Sequence, residues 1–180
     1  MADVVARSTQ PTLGAIKLAW WRERLEELDD GKVPAEPRLQ AAAAELLPRG
    51  VSGGDLAELE EGWSAAFYEP LDMALVTEHG TRLFTIAARL LNVEFDDGIV
   101  GVAGRLFARV DFARRGFIDL AAGSSDRGGP TIPRRARPLT GLAALAARDL
   151  GRGGPPFEPE GTPGRAWTLL RHRLTGRIRR

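Results

Sequence analysis

Asp29-Asp30 and Asp96-Asp97 are the adjacent aspartate pairs of this chain, and carboxylate pairs are where a hard divalent cation would be held. Neighbouring positions on a helix point about 100° apart, so neither pair alone forms a clamp. Each pair is followed at once by a glycine, Gly31 or Gly98, which is the grammar of a turn. Asp111, in "ARVDFARRG", is a single carboxylate, and Asp119 follows eight residues later, too far to share one ion with it. The 2 histidines, His79 and His172, are too few for most histidine-based metal sites. His79 falls inside an apolar helical stretch and reads as a packed or surface imidazole. There is no cysteine, which excludes disulfides, zinc–thiolate sites and a cysteine nucleophile. No phosphate-binding glycine loop, nucleophile elbow or HExxH is present. "GVAGRLFARVDFARRG" has glycines but no strand before it, so it does not read as a dinucleotide site. No catalytic residue and no metal ligand can be named from these groups.

The cations are a different matter. "RAWTLLRHRLTGRIRR", at the C-terminal end, carries 6 arginines and no acid. Arg165, Arg171, Arg173 and Arg177, with Trp167 among them, are candidates for contact with phosphate groups or an anionic membrane surface. One tryptophan among arginines does not make a nucleic-acid motif, and no nucleic-acid partner is expected. The whole chain has a net charge of +1, yet residues 1–97 carry −9 and residues 98–180 carry +10. Two such halves attract each other within one fold, and the basic half suits phosphate-bearing partners. The plain alternative is a solvated arginine face.

The elements that must position these groups read as helices throughout. The first is expected from Thr12 to about Asp29, with Leu18, Trp21, Leu25 and Leu28 on one face and Leu13, Ile16 and Trp20 broadening it. The second, about 37–47, begins at Pro37. The third starts near Ser52 or Asp55 and ends at Pro70, with Leu56, Leu59, Trp63, Ala66 and Phe67 on one face. The fourth covers about 71–91 and the fifth about 97–114, where Gly101, Ala103 and Gly104 allow a close helix approach. A Gly/Pro/Arg-rich loop precedes a sixth helix at about 138–150, and Pro163 opens a last one. No stretch alternates with the period of a strand. The expectation is an all-α helical bundle: a disordered N-terminus over 1–11, then one domain over 12–176, compact to about 115 and loop-rich over about 120–176. No apolar run reaches the roughly 18 residues of a membrane span, and no signal peptide stands at the N-terminus. A cytoplasmic protein is the expectation, with peripheral contact at the inner membrane open to it.

"LGAIKLAWWRERLEELDDGKVPAEPRLQA", residues 13–41, resembles the squalene/phytoene synthase family, in which an L-x-x-W-R-x-x-L helix is followed by a short break and a Pro-started helix. Leu18, Trp21, Arg22 and Leu25 fill that pattern. "RLFTIAARLLNV", 82–93, is similar to the helix that packs small residues beside the family's cavity, and "VAGRLFARVDFARRGFIDL", 102–120, to the helix bearing its second aspartate motif. The end, "PGRAWTLLRHRLTGRI", is similar to the tail of short bacterial members. The resemblance implies an isoprenoid-synthase-like fold and head-to-head joining of prenyl diphosphates. In that chemistry two aspartate clusters hold Mg²⁺ against a departing diphosphate.

The chain departs from that family pattern at both clusters. The helix that would carry the first aspartate motif is missing, so the fold is expected to be truncated at its N-terminus, with an exposed apolar patch along Leu18, Trp21 and Leu25 or their neighbours. Of the second motif only Asp111 stands. The expected function is therefore non-catalytic: binding of an isoprenoid, a membrane surface or a protein partner, as some relatives of the fold do in assembling respiratory complex I. On that reading no cofactor is expected. The alternative is a head-to-head prenyltransferase that binds prenyl diphosphate with Mg²⁺, with a second subunit supplying the missing helix. Homo- or hetero-oligomers are candidates on either reading.

Overall fold

The computed structural model describes residues 1–93, 97–120 and 131–178. Among these the protein is all-α, with no strand. Its helices are α1 (Ala2–Arg7), α2 (Pro11–Glu26), α3 (Pro37–Glu45), α4 (Gly53–Ala57), α5 (Leu59–Ser64), α6 (Met73–Leu90), α7 (Asp97–Arg114), α8 (Arg137–Gly151) and α9 (Pro163–Thr175). Short 3₁₀ turns lie at Leu47–Arg49, Ala65–Phe67 and Arg134–Ala136. No described helix is long and apolar enough to cross a membrane.

Helices α6 and α7 form the spine. Gly80 and Gly104 face each other so closely that a Cβ on either would lie within 2.2 Å of the other's carbonyl oxygen. The small residues expected to permit close packing therefore do so, at Gly104. Val76, Ala108 and Phe112 of this pair bury with Val5 of α1, Leu18 of α2 and Trp63 of α5 in one apolar cluster. Phe84, Ala88, Val100 and Ala103 bury against Leu139 and Ala143 of α8 in a second. A third joins Leu25 and Leu28 to Leu39, Ala42 and Ala57 of α3 and α4. A fourth sets Val110 and Ala113 of α7 against Leu120 and Ala146. Each fully buried Leu or Phe contributes about 1.5–3 kcal/mol of transfer free energy.

Several sequence expectations change here. Residues 1–11 are not wholly irregular: α1 forms, and its Val5 is buried beside Leu18. Helix α2 starts one residue before Thr12, because Pro11 with its fixed φ takes the first turn. Leu18, Leu25 and Leu28 are buried as expected and Trp21 is half-buried, so the exposed patch foreseen along Leu18 and Leu25 is not there. The exposed residues are their neighbours Leu13, Ile16 and Trp20, which share a stripe on the opposite side of the same helix and do not broaden the core face. The single helix expected from Ser52 to Pro70 is broken into α4, α5 and a 3₁₀ turn. Its two ends serve different neighbours: Gly53 lies against the Leu25 carbonyl and Gly62 against His79. Asp29 does more than turn the chain. Its carboxylate accepts the N–H groups of Gly53 at 2.6 Å and Gly54 at 2.9 Å, satisfying the start of α4. Asp96 lies outside the described residues.

Candidate functional site

A cavity of about 380 Å³ opens where α7, α8 and α9 meet. Phe107 and Val110 of α7, Leu142, Leu145 and Ala146 of α8, and Leu169 of α9 give it apolar walls. Its volume falls in the ~300–1,000 Å³ range of small-molecule sites. Its polar end is set by Asp111 and Arg114 of α7, Asp149 of α8, Glu160 in the turn before α9, and Arg165 in the first turn of α9.

Asp149 is the centre of that end. It stands in the last turn of α8, is buried, and receives two guanidiniums from two other helices. Arg114 donates Nε–H to Oδ2 at 2.9 Å, and Arg165 donates from one Nη to Oδ1 at 2.8 Å and Oδ2 at 3.0 Å. Arg114 also donates to the Glu158 carbonyl at 2.9 Å and lies over the Phe157 ring at 5.0 Å. A buried carboxylate survives only with such compensation. Both guanidiniums at the cavity are thereby committed to Asp149. Asp111 is committed as well, accepting Arg115 Nε–H at 2.9 Å. Glu158 ties the loop back to α8 and α9: hydrogen bonds from Thr162 at 2.6 Å and Arg148 at 2.8 Å hold its carboxyl below the usual range.

The seam between α8 and α9 continues in polar groups. His172 is buried, with Nε2 at 2.9 Å from the Thr140 hydroxyl and Nδ1 at 3.2 Å from the Arg177 carbonyl. Burial first, and then the Arg137 charge, lower its pKa, while the Arg177 carbonyl opposes them. The ring N–H at Nδ1 donates to the Arg177 carbonyl, and Nε2 shares the Thr140 hydroxyl with the Ala136 carbonyl, 3.1 Å from that oxygen. Arg137 donates to the carbonyls of Arg173 at 2.8 Å and Leu174 at 2.9 Å, closing the C-terminal end of α9.

The residues singled out from the sequence scatter. Leu18 and Leu25 are core. Arg22 pairs with Glu26 at 3.1 Å and with Glu60 and Glu61 of α5 at 3.6 Å each, so its partners are glutamates, while Asp111 is held by Arg115 on α7. Residues 82–93 do not line the cavity between α7, α8 and α9. Arg165, expected to meet phosphate or a membrane, is instead buried against Asp149, because the two-turn spacing that carries His172 inward carries Arg165 inward too. Arg171 is half-exposed and Arg173 and Arg177 are exposed, and no ion pair among the described residues engages them. His79 is packed: its Nδ1 lies 3.1 Å from the Leu59 carbonyl, its ring meets Trp63 edge-on, and burial lowers its pKa.

Sequence reasoning missed Arg114, Asp149, Thr140 and His172. One signal was legible: Asp149 is an acid in the last turn of a helix, where the dipole disfavours it, within the strongly basic half. Both oxygens of Asp149 are taken by two arginines, so that carboxylate is not open to a cation. No family model matches the chain, and no curated protein and no solved structure matches it.

Proposed function

We propose that this is a non-catalytic binding protein that takes an apolar ligand of isoprenoid type, with an uncharged head, into the cavity between α7, α8 and α9. The apolar walls of Phe107, Val110, Leu142, Leu145 and Leu169 suit a branched hydrocarbon. The observation that carries the reading is the double claim on Asp149. A diphosphate needs cations to offset its charge, and Arg114 and Arg165 are already spent on a buried carboxylate. Asp111 and Glu160 add further negative charge at the same end. A hydroxyl or carbonyl head could instead hydrogen-bond to these groups at no cost in charge. The isoprenoid character of the ligand rests on the resemblance to squalene/phytoene synthases.

Thermal unfolding with farnesol, with farnesyl diphosphate, and with farnesyl diphosphate plus Mg²⁺ tests this. Farnesol at a hundredfold excess over its Kd should stabilise the protein by about 2.7 kcal/mol, and Leu142→Trp, at the cavity wall, should abolish the effect. Stronger stabilisation by the diphosphate with Mg²⁺, or release of pyrophosphate, would overturn the proposal in favour of prenyl transfer.

A further inference from the structure

Helix α9 is packed with its polar side inward. Arg165, Thr168 and His172 recur at i, i+3 and i+7 and are its buried residues. Trp167, Leu170 and Leu174 recur at the same spacing on the opposite side, and are 61%, 47% and 67% exposed. No residue of α9 stands among the buried residues of the four apolar clusters. The usual amphipathic helix is reversed. Its orientation is pinned at both ends, by Arg165 on Asp149 and by His172 on Thr140. A turn of the helix that hid the leucines would strand Asp149 without one of its two cations.

The charge around the outward stripe decides what can cover it. Arg171 lies on one flank and Arg173 on the other, Arg177 is exposed just past the Gly176 cap, and Arg134 and Arg135 are exposed on the 3₁₀ turn beside the C-terminal end of α9. That turn is joined to α9 by Ile132, whose N–H donates to the Gly176 carbonyl at 2.8 Å. Nothing between Pro163 and Ile178 is acidic. Among the described residues none of these five arginines is in an ion pair. The exposed stripe of α2 lacks this setting, since Glu23 and Glu26 share its helix and Glu27 caps it.

We propose that the outward face of α9 docks on an anionic lipid bilayer. Trp167, Leu170 and Leu174 enter the headgroup–acyl boundary, and Arg171, Arg173 and Arg177 reach up to lipid phosphates along their own apolar stems. A tryptophan with leucines in a ring of unpaired arginines matches a surface that is apolar below and negative above. The proposal stands apart from the cavity, which lies between α9 and its neighbours.

The test is sedimentation of the full chain with vesicles of phosphatidylcholine alone and of equal parts phosphatidylcholine and phosphatidylglycerol, at low and high salt. Binding to the anionic vesicles, weakened by salt and weak or absent with the neutral ones, is expected. Each arginine near the surface is worth about fivefold in affinity, so R171Q/R173Q should lose about 25-fold. L170S/L174S should lose at least as much with an unchanged melting curve. Brominated lipid should quench tryptophan emission in the native chain and not in W167F, a readout that does not depend on the serine variant folding. Leu142→Trp, which narrows the cavity, should leave vesicle binding intact. Equal binding to neutral vesicles, no binding at all, full binding by R171Q/R173Q, or a solution dimer dissociated by L170S/L174S without vesicle binding would each overturn it.

Discussion

Two helix pairs in this molecule are joined in opposite ways. In α6–α7 the backbones touch at Gly80 and Gly104, and Phe84, Val100 and Ala103 seal the seam with apolar side chains. In α8–α9 the seam is Asp149 on Arg165 and Thr140 on His172, and Trp167, Leu170 and Leu174 of α9 face out. The first pair gains from every apolar atom that it hides. The second is held by groups that are costly to bury, and their mutual compensation is what makes the arrangement stable. The contrast teaches that a helix can be fastened by one face so that the other stays available.

The seam of α8–α9 should fail hardest at its charge. Asp149→Ala leaves two largely buried guanidiniums without their carboxylate and should cost about 3 kcal/mol in a urea titration. Replacing Asp149, Arg114 and Arg165 together by Leu and Met should return most of that loss, since apolar isosteres of a buried ionic group are often neutral. A loss from the triple variant as large as that from Asp149→Ala would mean that shape, not charge, joins the two helices.

At the other seam, Gly104→Ala places a Cβ 2.1 Å from the Gly80 carbonyl oxygen, and the helices must part. A loss of about 2 kcal/mol is expected by the same titration. The hydroxyl of Thr140 comes next. Thr140→Val leaves His172 Nε2 buried without a partner and should cost about 1–2 kcal/mol.

Acid should loosen both regions through their histidines. Burial holds His172 and His79 below their ordinary value of 6.5, so the unfolded chain binds more protons as the pH falls through that value. Their contribution is fully present above pH 6.5 and is lost on descent toward their folded pKa values. Glu60 works the other way: its burial outweighs Arg22 and raises its pKa above 4.5, so its folded form gains protons first. The comparison of melting temperatures should therefore be made between native chain and His172→Gln across pH 7 to 5, where the variant should show the shallower fall. The smallest effect belongs to the outward face. Trp167→Ala should change stability by less than about 0.5 kcal/mol, because nothing in the fold rests on it.

Much of the fold was legible. Pro37 and Pro163 start helices where their fixed φ predicts, and both α6 and α7 fall within two residues of the expected bounds. The third expected helix was misjudged because its apolar spacing is continuous while its packing partners are two: α2 at Gly53 and α6 at Gly62. The candidate site was less legible. Asp111 lines the cavity as a residue singled out in advance, but Asp149, its central carboxylate, passed unnoticed in a helix rich in alanine. Arg165 was singled out for exposure and is buried, since spacing names the members of a face without saying which face turns inward.

The sequence alone determined that this chain is helical, where most helices begin, and that its acids and bases divide between two halves, because those properties follow from local periodicity, proline geometry and composition. Only the tertiary structure decided that α9 hides Arg165 and His172 and shows Trp167, Leu170 and Leu174. Two stripes of equal spacing lie on that helix, and the choice between them was made on α8 by Asp149, a buried carboxylate that needs cations no leucine can supply, with Thr140 set against His172.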